Sequence, residues 1–150
     1  MILSREVIYA ALWGKVARLP QFRTRSRRLR HWEDVTPDKQ PALFQHQRPQ
    51  TPHQTKGIPP AWNLGAEFYI YHHCGGNETV IPATILNELV DAVDQALAPD
   101  INQLQTLGGL VSHCWITGPV EYYEGIGALM EQSVVIIPIE IRVPDGSGPV

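Results

Sequence analysis

Histidine and cysteine side chains form two short clusters with the residue types of a zinc site. His72, His73 and Cys74 are consecutive, and His113 is followed by Cys114. If the strands predicted to carry them are neighbours, thiolate and imidazole groups can approach tetrahedral zinc distances. Adjacent strand residues point to opposite faces, so at most two of the first three can bind one ion. No C-x-x-C or H-x-x-x-H spacing supports the site, and we expect ordinary strand residues, with no metal and no other cofactor.

Other groupings of reactive residues are equally weak as catalytic sites. Cys114 beside His113 has the types of an activated nucleophile, but a thiol in the middle of a strand usually packs inertly. Asp91 and Asp94 lie three residues apart on a predicted amphipathic helix, where acids are normally solvated. The glycine pairs mark short turns, and none opens a helix with a phosphate-loop pattern. We therefore expect a protein that is not an enzyme.

Arginine is concentrated in a short segment, residues 23–30, which we call the arginine segment. Its members are Arg23, Arg25, Arg27, Arg28 and Arg30. A guanidinium group makes bidentate contacts with carboxylate or phosphate. The segment is consistent with ion pairs to a neighbouring subunit or partner, with the lining of a passage for DNA, or with uninvolved surface. No RNA-binding signature accompanies it, so we do not expect sequence-specific reading of nucleic acid.

The charges of the chain are sorted along its length. Residues 1–56 contain eleven basic side chains against four acidic ones, a net charge of +7. Residues 57–150 contain one basic side chain against eleven acidic ones, a net charge of −10. Identical copies of such a chain can attract one another head to tail, and the positive part can also face a polyanion.

Length and composition are those of one globular domain. The chain has 150 residues, of which 43% are hydrophobic and 18% are charged. The start of the sequence has no signal-peptide hydrophobic region, and the longest apolar run, 134–139, is too short to cross a bilayer. We expect a soluble protein of a reducing compartment, with residues 1–143 as a single domain and 144–150 as a mobile tail.

Apolar spacing predicts two helices and several strands. One helix begins after Ser4 and ends before Pro20, and the other begins at Pro82 and has a continuous apolar face. The predicted strands are 42–44, 62–73, 110–117, 120–123 and 131–143. Pro138 removes a backbone donor from the last strand and therefore predicts an edge strand or a bulge.

The remaining segments connect these elements. Residues 21–40 are expected to be a basic arm or loop, and residues 48–60, rich in proline, a long loop that reaches a neighbour and carries Lys56. The strand 62–73 is longer than one small core needs, so part of it is expected to project as a hairpin arm. The order of elements predicts an α+β domain, with a mixed, mainly antiparallel sheet and two α-helices packed on one face.

The second face of the predicted sheet carries aromatic side chains. Tyr69 and Tyr71 alternate with the apolar residues of the strand 62–73, and His113 and Trp115 share one side of a later strand. An aromatic patch of this kind more often contacts another protein than water. We expect these four residues to form a partner-facing surface.

Three stretches of the sequence resemble the tail-terminator, or tail-completion, proteins of long-tailed bacteriophages. The first runs from 26–32 (SRRLRHW) to 41–44 (PALF), the second from 50–52 (QTP) through 57–59 (GIP) to Trp62, and the third from 105–111 (QTLGGLV) through 115–118 (WITG) to 137–139 (IPI). Together they span most of the chain. The matching motifs are structural, and none is a catalytic signature.

The resemblance implies a ring, commonly a hexamer, that sits on the last ring of a finished tail tube. Such a ring stops tube growth, presents the surface to which the filled head attaches, and lets DNA pass through its lumen without sequence recognition. The family fold is a mixed sheet with helices on one face, and no catalytic residue is carried over. The implied partners are the tail tube protein and a head-completion or neck protein, and the implied location is the virion, with host cytoplasm during assembly and no membrane.

Within this interpretation, the arginine segment and Lys56 contact a neighbouring subunit or face the lumen. Three other classes remain open. One is a different neck component, a head-closure or adaptor protein. Another is a non-specific nucleic-acid-binding protein acting through the arginines, whose affinity would fall steeply with salt. The third is an enzyme built on the histidines and cysteines.

Overall fold

The computed structural model describes residues 3–125 and 130–144, and every strand in them belongs to one six-stranded sheet. The strands are Thr24–Ser26 (β1), Ala42–His53 (β2), Ala61–His73 (β3), His113–Ile116 (β4), Glu121–Tyr123 (β5) and Gln132–Pro144 (β6), and the helices are Arg5–Val16 (α1) and Pro82–Ala96 (α2). The strand order is β1-β2-β3-β6-β4, with β5 also beside β6. Only β1 and β2 are parallel. The predicted α+β class and the mainly antiparallel sheet are confirmed.

Both helices pack on one face of the sheet, as predicted. Alternation along β3 turns Leu64, Phe68 and Ile70 to that face, and β6 lies beside it with Ile137 opposite Phe68. The core also contains residues of the two helices, namely Ile8, Tyr9, Leu12 and Val16 of α1 and Leu86, Leu89 and Val93 of α2. Because burial of each large apolar side chain contributes about 1.5–3 kcal/mol, this face provides most of the stabilisation.

Helix α1 lies over β2 and β3 and is held there by a buried tyrosine. The Tyr9 hydroxyl donates to the backbone carbonyl of Gly65 at 2.9 Å, and the Gln45 amide donates to the Tyr9 carbonyl at 3.0 Å. A Cβ atom at Gly65 would lie 2.7 Å from the backbone oxygen of Pro49. Glycine is therefore needed where the two strands approach most closely.

Strand β2 is much longer than predicted. It continues to His53, so the predicted long loop over 48–60 is wrong for residues 48–53, which are strand. The register of β2 against β3 shifts between Arg48 and Thr51, and this bulge accommodates Pro49. Only residues 54–60, which we call the hairpin tip, connect the two strands. The end of the β2–β3 hairpin is exposed, in agreement with the predicted hairpin arm.

Strand β6 is an interior strand, which corrects the prediction made from Pro138. Its pairing with β3 is continuous from Ala61 to His73, with no bulge. The Pro138 carbonyl accepts from the Thr117 backbone N–H at 3.0 Å, on the side of β4 and β5. In an antiparallel ladder, the nitrogen and carbonyl of one residue face the same neighbour. The missing donor therefore faces the break between β4 and β5, where the predicted strand 110–117 is reduced to His113–Ile116.

Residues 21–40, predicted to be a basic arm or loop, pack against the sheet as a mostly irregular segment whose only strand is the short β1. Phe22 is part of the main core, and a second, smaller cluster forms on the other face of the sheet from Val35, Ala42, Phe44, Tyr71 and Val134. The side-chain amides of Gln40 and Gln132 exchange two buried hydrogen bonds, each 2.8 Å long. This amide pair joins the end of residues 21–40 to β6, although the two glutamines are 92 residues apart in sequence.

Two parts of the sequence-based prediction lie outside the described residues. The predicted mobile tail falls there from residue 145 onward, whereas Pro144 is the last residue of β6. The turn between the last two strands falls there over residues 126–129. Within the described part of the chain, no helix has the length and apolar content needed to cross a membrane.

Candidate functional site

The sheet places the arginine segment at one edge and part of the acidic half of the chain at the other. β1, inside the arginine segment, forms one edge, and β4 and β5 form the other. Four strand spacings separate β1 from β4, or about 19 Å. Helix α2 lies near the β5 edge. Its Asp91 carboxylate is close enough to Tyr122 of β5 to raise the pKa of that tyrosine, in addition to the effect of burial. The arginine segment and the acidic side chains beside β5 therefore lie at opposite edges of the sheet.

Four of the five arginines in the segment have side-chain contacts within the chain. Arg27 forms a bidentate ion pair with Glu6 at 2.7 and 3.0 Å, and this hydrogen bonding lowers the pKa of Glu6. The other three donate to backbone carbonyls: Arg23 to Asp38, Arg25 to Leu19 and Arg30 to Asp34. A backbone carbonyl carries no net charge, so these bonds neutralise none of the three arginines. Arg23 also lies near the Asp38 carboxylate, whose pKa is lowered by the hydrogen bond from Thr36 and, to a smaller extent, by the charge of Arg23.

Arg28 is the least constrained member of the segment. Its backbone N–H donates to the Ser26 hydroxyl at 2.9 Å, but no side-chain hydrogen bond or ion pair is formed by Arg28 within residues 3–125 and 130–144. Arg23, Arg25 and Arg30 are also exposed. The segment therefore presents four accessible guanidinium groups, each with N–H donors able to bind carboxylate or phosphate.

Lys56 is not brought together with the arginine segment. β1 pairs with Ala42–Phe44 at the start of β2, whereas Lys56 lies in the exposed hairpin tip beyond His53 at the other end. The nine residues from Phe44 to His53 correspond to about 30 Å of strand. The predicted interface residues therefore form two separate surfaces.

The four predicted aromatic residues lie on the same sheet face, opposite the helices, but Tyr71 is covered. Register pairs Tyr71 with Val134 and Tyr69 with Ile136, while Trp115 lies opposite Glu140. Tyr71 is only 4% exposed. Its hydroxyl donates to the Arg30 carbonyl at 2.6 Å, and burial raises the pKa of Tyr71 to about 12. Tyr71 is therefore an interior residue, and its predicted place on the partner-facing surface is wrong.

The remaining aromatic residues are half-buried and separated by carboxylates. The His113 and Trp115 rings stack at 4.9 Å between centroids, about four residues along β6 from Tyr69. Between them lie Glu67, which is 3.4 Å from Arg48, and Glu140, which accepts from the Asn63 amide at 2.6 Å. The open face is thus a mixed aromatic and acidic surface rather than a continuous aromatic patch.

The two histidine–cysteine clusters lie at opposite ends of β6. His73 pairs with Gln132, whereas Cys114 pairs with Ile141, nine residues further along that strand. This separation is about 30 Å, so the clusters cannot bind one zinc ion. Groups of three potential metal ligands are absent from the described ranges. Burial raises the pKa of the Cys114 thiol to about 12, which leaves it protonated and a poor nucleophile.

A groove that sequence reasoning missed lies where residues 29–35 cross the second face of the sheet. It encloses about 350 Å³ and is lined by Leu29, Arg30, His31, Trp32, Tyr69, Tyr71 and Val134. We call it the aromatic groove. The recurrence of Leu29, Trp32 and Val35 at every third position was the available signal, but it matched neither a helix of useful length nor a strand.

Comparison with known proteins identifies a related fold. No protein-family model matches the chain, and no curated protein matches it. Among solved structures, it is similar to a chain of a structure described as "Virion of native gene transfer agent (GTA) particle", with a TM-score of 0.55 and 11% sequence identity. The match covers 94% of this chain and 99% of that one. At this identity the likeness establishes the fold: nearly the whole chain has an architecture that also occurs in a virion particle.

Proposed function

We propose that this chain is a structural virion protein that forms a ring, expected to be a hexamer, on the end of a phage tail tube. The observation that carries the proposal is the fold likeness, over 94% of the chain, to a chain from a gene transfer agent virion. The resemblance of three sequence stretches to tail-terminator proteins gives the role within the virion. The proposed role is structural, with no enzymatic activity and no cofactor.

The distribution of charge supports assembly into a ring. A basic edge and an acidic edge on opposite sides of one sheet can meet only when different surfaces of two copies face each other. Such a heterologous contact closes into a ring when the rotation between copies is suitable. The exposed Arg23, Arg25 and Arg28 are available to the acidic edge, where Glu121 of β5 and Asp91 of α2 are also exposed.

The proposed mechanism is occlusion of the growing end of the tube. One side of the ring binds the last ring of tail tube protein, so no further tube subunit can add. The other side binds a head-completion or neck protein. DNA passes through the lumen and is not read by sequence, and exposed arginines that do not form subunit contacts would line that passage. The protein then resides in the virion after assembly in the host cytoplasm.

The uncompensated guanidinium groups also support a second candidate, non-specific binding of nucleic acid. For this class, the affinity for DNA should fall steeply as salt rises, since bound phosphates release counterions. A head-closure or adaptor protein of the neck is a further alternative with the same fold requirements. It would bind the head connector in place of the tail tube.

The test is a growth assay with tail tubes of the same virus, purified tube subunits and this protein. The proposal expects the protein to sediment with tubes and to stop their elongation at a few copies per tube end. Binding to isolated connectors but not to tubes would support the adaptor alternative and overturn the tube-end role. The R23E/R25E/R28E variant should lose ring formation, while R142E, a charge reversal on β6, serves as the matched control.

A further inference from the structure

The aromatic groove and the hairpin tip are exposed features that the charge-based contact does not use. Trp32 and Tyr69 are half-buried in the walls of the groove, and Tyr71 is nearly fully buried beside them. The groove volume of about 350 Å³ lies in the range of sites that bind small ligands or side chains. Its lining is mostly apolar, so the groove suits apolar side chains of another segment.

The hairpin tip has the properties of such a segment. Ile58 is 58% exposed and is followed by Pro59 and Pro60. A turn in which the Ile58 N–H donates to the Thr55 carbonyl at 2.9 Å presents it. The prolines lack N–H donors and have restricted backbones, so the tip cannot extend a sheet and loses little entropy on docking. Proline-containing segments commonly bind aromatic-lined grooves.

We propose that the hairpin tip of one copy of this chain docks into the aromatic groove of a second copy, with Ile58 and Pro59 against Trp32 and Tyr69. This inference rests on the proposed function, in that it names a second contact by which subunits of the ring are joined. It assigns the groove to another copy of the same chain and not to a small molecule.

The tip cannot reach the groove of its own chain. The groove lies at the Tyr71 end of β3, and the tip precedes Ala61 at the other end, ten residues away, or about 33 Å. β3 is paired along its length with β6 and most of its length with β2, so it cannot fold back. The contact is heterologous, as a ring requires, when the tip of each copy binds the groove of the next copy and its own groove receives the tip of a third.

The charges beside the two surfaces favour the contact. Lys56 precedes Ile58 by two residues at the tip. Glu33 and Asp34 follow Trp32 and are exposed, and Glu131 lines the adjoining hollow on the other side of Trp32. Arg30 also lines the groove and keeps its positive charge, because its guanidinium donates to the uncharged Asp34 carbonyl. Three carboxylates against one guanidinium leave the surroundings of Trp32 net negative, which favours the approach of Lys56.

The first experiment uses complementary variants of the full chain, measured by sedimentation velocity and native mass spectrometry. I58D disables the tip and Y69K disables the groove, while I81D changes an isoleucine of similar exposure, 63%, away from both surfaces. The wild type and I81D should form assemblies larger than dimers, and each disabled variant alone should lose them. An equimolar mixture of I58D and Y69K should form one-to-one heterodimers, because one intact tip and one intact groove remain.

Several results would overturn the inference: assembly of I58D like that of the wild type, a mixture that stays monomeric, or a wild type that stays monomeric even at about 1 mM, the limit of weak specific binding. Circular dichroism checks that the variants are folded. If Y69K is unfolded, H31K at an exposed residue of the same groove replaces it, because a lysine there repels Lys56.

The second experiment maps the contact and separates this inference from the proposed function. A photo-crosslinking residue at position 58 should link, between copies, to peptides containing 29–34 or 69–71. Links within one chain or to other surfaces would overturn the contact. If I58D still caps tail tubes, the proposed function stands and this inference fails. If the tip–groove contact forms but the wild type never binds tubes, the inference stands and the proposed function fails.

Discussion

Replacing Gln132 with methionine should destabilise the protein by breaking the buried amide pair. Gln132 and Gln40 are 3% and 4% exposed, and each donates to the other at 2.8 Å. In Q132M the Gln40 carbonyl oxygen loses its donor, while the Gln40 amide still donates to the Val35 carbonyl at 2.9 Å. One buried acceptor without a partner costs about 1–3 kcal/mol, and we expect a loss of unfolding free energy in that range.

The double variant Q40M/Q132M should cost less than the sum of the two single changes. Each single variant leaves one amide of the pair without its partner, whereas the double variant removes both amides and replaces them with apolar side chains of similar size. Removing both partners of a buried hydrogen bond is nearly neutral compared with removing one. The double variant still loses two hydrogen bonds to backbone carbonyls, from Gln40 to Val35 and from Gln132 to Ser133. We expect a coupling energy of about 1–3 kcal/mol.

Urea denaturation of all four proteins, followed by circular dichroism and tryptophan fluorescence, measures these free energies. Q95M, an exposed glutamine on α2, is the matched control and should change stability by less than about 0.5 kcal/mol. Single effects that add in the double variant would contradict the predicted coupling. A Q132M protein as stable as the control would show that this pair does not hold residues 21–40 against β6.

Three further predictions concern single sites. Y71F should lose about 1 kcal/mol of stability in urea denaturation, since its hydroxyl donates to the Arg30 carbonyl at 2.6 Å and leaves that carbonyl unpaired when removed. G65A should destabilise the protein by about 1–3 kcal/mol, because the added Cβ would lie 2.7 Å from a backbone oxygen of β2. G57A is the control at the open tip: its Cβ meets no atom within 4 Å, so it should cost less despite the positive φ of Gly57. At pH 8, iodoacetamide should modify the partly exposed Cys74 and spare the buried Cys114, whose pKa of about 12 keeps its thiol protonated. Mass spectrometry of protein labelled in the folded state measures the two modifications, and equal labelling of both cysteines would contradict the prediction.

The sequence predicted the elements whose burial is one-sided. β3 alternates between apolar and polar residues along its length, and α2 has one continuous apolar face, so local periodicity alone located both. Both helices also had to cover the apolar face of the sheet, because that face is made of the alternating residues of β3 and β6. The fold class followed from these elements.

The predictions for β2 and β6 were wrong because a proline was taken as a local signal, without the strands that lie beside it in the sheet. Beyond Phe44, β2 is paired only with β3, so its outer edge is free and prolines there cost few ladder bonds. Pro138 is tolerated in an interior strand because the break in the adjacent strand faces it. In both cases, the order of strands in the sheet decides what faces the proline nitrogen, and no local sequence pattern reveals that order.

The candidate surfaces were predicted by residue type but not by position. The excess of arginine was visible in the sequence, whereas its placement opposite the acidic edge depends on the order of strands in the sheet. Tyr71 was assigned to the surface because alternation places it on the open face. The residues that cover it, 29–35, pack through contacts about forty residues away in sequence.

The proposed ring is tested most directly by electron microscopy of tail tubes incubated with this protein during elongation with purified tube subunits. We predict that elongation stops and that a single additional ring of density, with subunits joined edge to edge, appears at one end of each tube. Tubes that keep growing at the same rate, with no added ring and with the protein left as free monomer, would contradict the proposal.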